Sequence, residues 1–290
     1  MSQDRLQRLA KQFQINENSP AAAHLPAAHV FERDEVSEFE TILYNPFICL
    51  ILQGQKELLM GQTSITLSPG DAFLVSHDLP VTAKILEASP ERPYLALVFA
   101  LDLGILRGLY EQVGDVISAE ASASVLSTTV ADPAYIAPMA RYLELVNAPL
   151  DAQVLGPMHL REIHFRLLMS PIGGMLRNLL LVNSHASRIA KAILQIKEKF
   201  REPLVVADLA DIAGMSPSSF HEHFKSVMGI TPLQYQKDLR MIEARDLIMR
   251  GACSVSTVGF EVGYQSATHF SRDYSRKFGS PPRDHLGRAR

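Results

Sequence analysis

ADIAGMSPSSFHEHFKSVMGITPLQY, residues 210–235, and GFEVGYQSATHFSRDYSRKFGSPPRDH, residues 259–285, are two copies of one pattern. Phe220 and Phe270, Phe224 and Tyr274, Gly229 and Gly279, and Pro232 and Pro282 recur at an offset of 50 residues. Gly214 and Gly263 recur at 49, so the second copy carries one extra residue in its turn. Self-similarity at a fixed offset marks one structural unit used twice. In the first copy Val206–Ala213 places Leu209, Ile212 and Ala213 on an inner face, and Gly214 ends the helix in a left-handed conformation. Ser216 is a good N-cap and Pro217 suits the first helical position. The next helix buries Phe220, Phe224 and Val227 and turns Ser218, His221, Glu222 and Lys225 outward, at i, i+3, i+4 and i+7. In the second copy Val255–Val262 leads to Gly263 and Ser266 caps; Phe270 and Tyr274 go inward, and Ala267, Thr268, Ser271 and Arg272 face out. Two helices joined by a glycine turn, the second polar on its outer face, predict a helix-turn-helix suited to a DNA major groove.

Between the copies, Leu233–Met249 is a continuous helical pattern with Leu239, Ile242 and Leu247 inside. Its length of about 25 Å suits two recognition helices near one DNA turn apart, about 34 Å. Upstream, Asn183-Ser184-His185 reads as a hinge. Residues 132–181 are helical by period, with Pro133 and Pro138 near one helix start and apolar stripes through Leu143, Val146, Ile163, Leu167 and Leu168. Residues 30–99 read as β: FICLILQ (47–53), ITL (65–67), AFLVS (72–76) and YLALVFAL (94–101) alternate with turn signals at Gly54, Gly61 and Pro69-Gly70. Such short, closely spaced runs point to a small barrel or sandwich. Residues 1–20 form a short helix and a polar lead-in.

The chain has 290 residues, 47% hydrophobic and 20% charged, the composition of a globular protein with a real core. No window reaches the run of about 20 apolar residues that a membrane span needs, and MSQDRLQRLAKQF lacks a signal-peptide core. Cys49 and Cys253 are the two cysteines, which fits free thiols in a reducing, cytoplasmic compartment. The net charge of -3 is unevenly spread: residues 184–290 hold 16 Lys+Arg and 11 Asp+Glu, a net of +5, leaving 12 and 20, a net of -8, for residues 1–183. A basic C-terminal part suggests a polyanion partner for that part alone.

Residues 188–286 resemble the DNA-binding domain of the AraC/XylS family of bacterial regulators, through LADIAGMSPSSFHEHFK, GITPLQY, RMIEARDLI, VGFEVGYQSATHFSRDYSRKFG and SPPRDHL. The last element departs from that pattern: His285-Leu286 stands where a Tyr-Arg pair is usual after the Pro. The N-terminal part resembles the AraC-type N-terminal domain with its cupin-like barrel, through YNPFICLILQGQKEL (44–58), SPGDAFLVSHDLPVTAKI (68–85) and LREIHFRLL (160–168). The resemblance implies an α+β chain of two domains. Residues 1–183 form a cupin-like β-barrel with flanking helices, for regulation and dimerisation. Residues 184–290 form an all-α domain of two helix-turn-helix units joined by a linker helix. It also implies double-stranded DNA as partner, with RNA polymerase, a small-molecule effector and a second copy of the chain as further partners.

Several residues have a plain reading beside a functional one. Cupin barrels often hold a metal through an H-x-H pair and a Glu, but His77 stands alone in residues 30–100. His221 and His223 are i, i+2 on a helix and point apart, so no metal and no cofactor are expected. Cys49 is either a small buried hydrophobe or a sensing thiol, which would need access and a lowered pKa. Cys49 and His77 are the effector-site candidates, and Lys56 and Lys84 are amines that could approach the barrel's apolar interior. The stripe Leu143, Val146, Leu160, Ile163, Leu167 is core or, by resemblance, a dimer contact. No phosphate loop, nucleophile elbow or paired carboxylates stand out, so an enzyme is not expected. Lys225, Arg272 and Arg276 are the foremost DNA contacts, with His221, Thr268 and Ser271 next, and Ser218 and Ala267 on the same faces. Glu222 cannot neutralise phosphate; it accepts from cytosine N4 or excludes other bases. The rival functions are a small-molecule-binding or enzymatic cupin with a structural helical tail, and an interaction adaptor without DNA binding.

Overall fold

The computed structural model describes residues 3–60, 63–114, 124–251 and 253–286; the turn signal at Gly61 lies outside them. Helix α1 (Gln3–Ile15) precedes eight strands: β1 (Ala28–Arg33), β2 (Glu40–Tyr44), β3 (Phe47–Gln53), β4 (Gln55–Met60), β5 (Thr63–Leu67), β6 (Asp71–Val75), β7 (Leu79–Glu87) and β8 (Tyr94–Ala100). Helix α2 (Leu103–Val113), strand β9 (Leu126–Val130) and helices α3 (Pro133–Glu144), α4 (Pro149–Met169) and α5 (Gly174–Leu180) follow. Pairing is antiparallel throughout, in a five-stranded sheet ordered β1-β8-β3-β6-β9 and a four-stranded sheet ordered β2-β7-β4-β5. No described strand pair joins the two sheets, so the expected barrel is an unclosed pair of facing sheets.

The five-stranded sheet is buried on both faces, which is why β3 and β8 read as unbroken apolar runs rather than alternating ones. Ile48, Leu50, Leu52, Leu95, Leu97 and Phe99 point one way, into a core shared with α1 to α5. Cys49, Ile51, Tyr94 and Ala96 point the other way, against Leu58, Val81 and Ile85 of the second sheet. Sequence reading left α2 and β9 unassigned. Helix α2 starts where Asp102 accepts from the Gly104 and Ile105 amides at 2.7 and 3.0 Å. Strand β9, LSTTV, is a polar edge strand that depends on β6. The stripe Leu143, Val146, Ile163 and Leu167 is core, with Leu160 partly buried against it.

Asn183 carries the one positive φ, 61°, among described non-glycine residues, and Ser184 caps the helix that follows. The C-terminal part runs α6 (His185–Lys199), α7 (Val206–Ala213), α8 (Pro217–Met228), α9 (Pro232–Arg250), α10 (Val255–Glu261), α11 (Ala267–Phe278) and a closing turn, Pro282–His285. The inter-sheet core does not stop at residue 183. It continues through Met175 to Ala186, Ile189, Leu209, Phe220, Phe224 and Tyr235. The β6–β7 turn is the plug at this junction. His77 is buried and its Nε2 lies 3.4 Å from the Ala186 carbonyl. The Lys197 ammonium meets Asp78 at 2.5 Å, and the Tyr235 hydroxyl donates to the Asp78 carbonyl at 2.9 Å. Among the described residues no helix is long and apolar enough to cross a membrane.

Candidate nucleic-acid interface

Each repeat builds the same unit from local signals. In the first, α7 stops at Gly214, whose φ is +63°, and the Ser216 hydroxyl accepts from the Ser219 amide at 3.4 Å to start α8. In the second, Gly263 has a φ of +92°, and a Cβ there would sit 2.1 Å from the Arg201 carbonyl oxygen, so no other residue fits. Ser266 then accepts from the His269 amide at 3.4 Å and starts α11. Phe220 and Phe224 are fully buried under α8, and Phe270 and Tyr274 under α11. Ile212, expected inside, is 39% exposed, because α7 is one short face packed on α6 and α8.

The outer faces carry the residues the sequence singles out. On α8, Ser218, His221, Glu222 and Lys225 are all exposed. On α11, Thr268, Arg272 and Arg276 are exposed, and Ala267 and Ser271 are half-buried. The Arg276 guanidinium is bound to Asp273 at 2.7 Å, one turn back on its own helix. Asp273 also takes the Lys237 ammonium at 2.7 Å and the Tyr264 hydroxyl at 3.2 Å. Sequence reading missed this acceptor, although the i, i+3 spacing of Asp273 and Arg276 announces it. Arg272 makes no ion pair among the described residues. The arrangement offers donors at His221, Lys225, Thr268, Ser271 and Arg272 and one carboxylate acceptor at Glu222.

Helix α9 joins the two units. Leu239 is buried as expected, but Ile242 and Leu247 are half-buried, and Met241, Ala244 and Ile248 lie deeper. Its first half packs with α6 and α8, and its second half with α10 and α11. Arg240 staples the assembly: its guanidinium donates to the carbonyls of Phe200 at 2.6 Å, Glu202 at 2.8 Å and Gly263 at 3.1 Å. His285 closes the second unit, with Nδ1 2.9 Å from the Tyr274 hydroxyl and Nε2 3.1 Å from Ser280. The His185 and His223 rings stack at 3.5 Å, so His223 faces α6 rather than the outer surface.

The two effector candidates sit inside the molecule. Burial pushes the Cys49 thiol up to about 12, with Lys56 opposing, which is the reverse of a reactive thiolate. Burial pushes the His77 imidazole down to about 4 against the opposing Ala186 carbonyl and Asp78, so it is a neutral, hydrogen-bonded core group. Among the described residues no group of three or more His, Cys, Asp or Glu is arranged to hold a metal.

The family described as AraC-type transcriptional regulator N-terminus matches residues 24–175, more than half of the chain, and a helix-turn-helix domain family matches residues 209–288. The transcriptional activator RhaS of Escherichia fergusonii is 31% identical over 144 residues, 49% of this chain and 50% of its own length. The regulator ArgR of Pseudomonas aeruginosa is 30% identical over 103 residues, 36% of this chain and 31% of its own. The chain thus spans half or less of the length of the curated relatives it matches. The crystal structure of ToxT from Vibrio cholerae superimposes on 90% of this chain and 98% of its own, with a TM-score of 0.56 at 13% identity, a likeness of fold.

Proposed function

The chain belongs to the AraC-type transcriptional regulators, and from that premise we propose that it is a sequence-specific DNA-binding regulator of transcription, not an enzyme. The observation that carries this reading is the matched pair α8 and α11, each serine-capped and each polar on its outer face. Each enters a major groove. Helix α8 contacts DNA through Ser218, His221, Glu222 and Lys225, and α11 through Ala267, Thr268, Ser271, Arg272 and Arg276. Arg272 reads guanine, and Lys225 meets phosphate. The 19 residues of α9 span about 28 Å, which keeps the two helices near the spacing of successive grooves.

The β part senses a small-molecule effector, with the division between parts at residues 183 and 184. A second copy docks along α4, where Leu150, Val154 and Met158 recur at i, i+4 and i+8 and are 71%, 57% and 64% exposed. This row, not the buried stripe, is the dimer face. RNA polymerase is the further partner, in the bacterial cytoplasm.

Footprinting of the intact chain on promoter fragments tests the reading. Two protected segments about 10 base pairs apart on one face of the duplex are expected. Binding without sequence preference overturns it in favour of a small-molecule-binding sandwich with a structural helical tail.

A further inference from the structure

The two recognition helices are tied to α9 by different means. On α11 the apolar side meets the second half of α9, with Phe270 and Tyr274 against Met241, Ala244 and Ile248. Two ion pairs tie the same helix to the first half. The Lys237 ammonium binds Asp273 at 2.7 Å, and the Lys277 ammonium binds Asp238 at 2.8 Å. Asp273 and Lys277 lie one turn apart on one face of α11. Lys237 and Asp238 are neighbours on α9, about 100° apart around its axis, so both pairs form together at only one roll angle of the two helices. Asp238 is the buried member, 5% exposed, and its carboxylate also accepts from the Gln234 amide nitrogen at 3.0 Å. At the equivalent positions of α8 stand His223, which stacks on His185, and Val227, which is buried in the core shared with the sheets. The charged clamp belongs to the second unit.

The two pairs have opposite polarity: α9 supplies the cation to one and the carboxylate to the other. A slip of α11 by one turn, about 5.4 Å, would set Lys237 against Lys277 in one direction and Asp238 against Asp273 in the other. Repulsion between like charges excludes both slips. Stability alone does not ask for these charges, since well-packed apolar groups of similar volume hold helices at least as firmly as a buried pair. What paired charges of alternating sign add is a fixed relative position.

We propose that Lys237–Asp273 and Asp238–Lys277 act as a spacing ruler. They are positioning residues that fix α11 against α9, and with it the number of base pairs between the DNA segments that α8 and α11 read. The proposal rests on the reading of both helices as DNA-binding and adds what sets their separation. One base pair moves a groove by about 3.4 Å and about a tenth of a turn, a displacement that pulls a 2.8 Å ion pair out of contact.

The test starts with the full chain selecting its site from random-sequence duplexes. Titrations then compare that site with versions in which one base pair is inserted or removed between the two protected segments. The parent should bind the altered spacings about tenfold more weakly or worse. In Asp238→Asn, and in the double change Asp238→Leu with Lys277→Met, that penalty should shrink to about threefold or less. The double change puts apolar groups in place of the buried pair and so keeps a folded variant in hand if Asp238→Asn alone leaves Lys277 unpaired and unfolds the unit. The readout is the ratio between spacings, so a lost charge that weakens every site equally does not enter it. Glu243→Gln breaks the exposed Arg201–Glu243 pair of the same helix and should keep the parent's full penalty. The ruler is overturned by a parent that tolerates all spacings, by a folded double variant with the parent's penalty, or by a Glu243→Gln that relaxes spacing as much as the double variant. A parent that selects no site removes the regulator reading and the ruler with it. A parent with a site, whose spacing preference survives in the variants, removes the ruler alone.

Discussion

The two helix-turn-helix units have the same caps, the same buried aromatic pair and the same turn chemistry, yet they are anchored differently. The apolar side of α7 and α8 belongs to a core that runs without interruption from between the β-sheets through α6 to Tyr235 and Leu239 of α9. The apolar side of α10 and α11 has a separate core, built from Met241, Ala244, Ile248, Val258, Val262, Phe270 and Tyr274. Helix α9 is shared half and half. A change in the β part therefore reaches the first unit through direct packing. Among the described residues it reaches the second along α9 and through the Arg240 and Arg245 contacts. On the proposed function, the first unit is the one packed against the β part and the second is the one with a core of its own.

The largest expected effect breaks this comparison if it fails. Phe220→Ala and Phe270→Ala remove the same buried ring from equivalent positions, and each should cost about 3–5 kcal/mol locally. Their reach should differ. Phe220→Ala should speed hydrogen exchange in α6, α8 and the adjoining β7, whereas Phe270→Ala should loosen α10 and α11 and leave the β-sheets protected. Equal loss of β-sheet protection in both variants would mean that the cores act as one.

Acid should also single out the first unit. The His77 imidazole titrates near 4 in the fold and near 6.5 in an unfolded chain. Between those values the unfolded chain binds the proton and the folded chain does not. The contribution of neutral His77 is therefore complete above about pH 6.5 and is lost as pH falls toward 4, by about 3 kcal/mol in all. Urea unfolding at pH 7 and pH 5 should show roughly 2 kcal/mol of this loss in the parent and a smaller loss in His77→Gln. A parent and variant with identical pH dependence would remove His77 as the acid-sensitive joint between sheets and helices.

What the sequence made legible was what local chemistry decides. Ser216, Ser266, Gly214 and Gly263 set caps and turns within a few residues of themselves, and the inward aromatics follow from the helical period. What it hid depends on distant partners. Asp78 and Lys197 are 119 positions apart, and Arg245 and Glu40 are 205. The pattern on α4 reads as one apolar helix, because Leu167 is buried by the core while Val154 on another side is exposed. Lys56 looks like a surface lysine in QKELLM, yet it is half-buried and donates to the Tyr44 hydroxyl at 2.8 Å. Asp238, buried and paired with Lys277 at 2.8 Å, has the same character. Strand β9 has almost no apolar signal of its own and exists because β6 offers it an edge.

Arg272 and Glu222 sharpen the comparison at the DNA surface. Arg272 is exposed on α11 and makes no ion pair among the described residues, so Arg272→Ala should cost about 1–3 kcal/mol in binding and relax preference at one base pair. Glu222 has no phosphate to neutralise, so Glu222→Gln should leave or raise overall affinity while widening the range of sequences α8 accepts. Binding titrations on matched and single-base variants of one site read both. If Arg272→Ala changes neither affinity nor selectivity, α11 does not read bases through that side chain.

The smallest expected effect concerns Arg276 and Lys225, which stand on the same outer faces but differ in partners. The Arg276 guanidinium is already neutralised by Asp273 at 2.7 Å, on a side chain 67% exposed, and must give up that contact to reach a phosphate. An exposed pair of this kind is worth about 0–1 kcal/mol, so the exchange of carboxylate for phosphate gains little. Lys225 is exposed and makes no ion pair among the described residues, and a phosphate contact there releases a counterion. Lys225→Ala should therefore lower the slope of log affinity against log salt by about 0.9, and Arg276→Ala should lower it by distinctly less. The single change Asp273→Asn, with Arg276 intact, should restore the full slope contribution of Arg276, because the guanidinium is then released to DNA. Equal slopes for the two alanine variants would show that Arg276 leaves Asp273 in the complex, and that both units grip the backbone with equal strength.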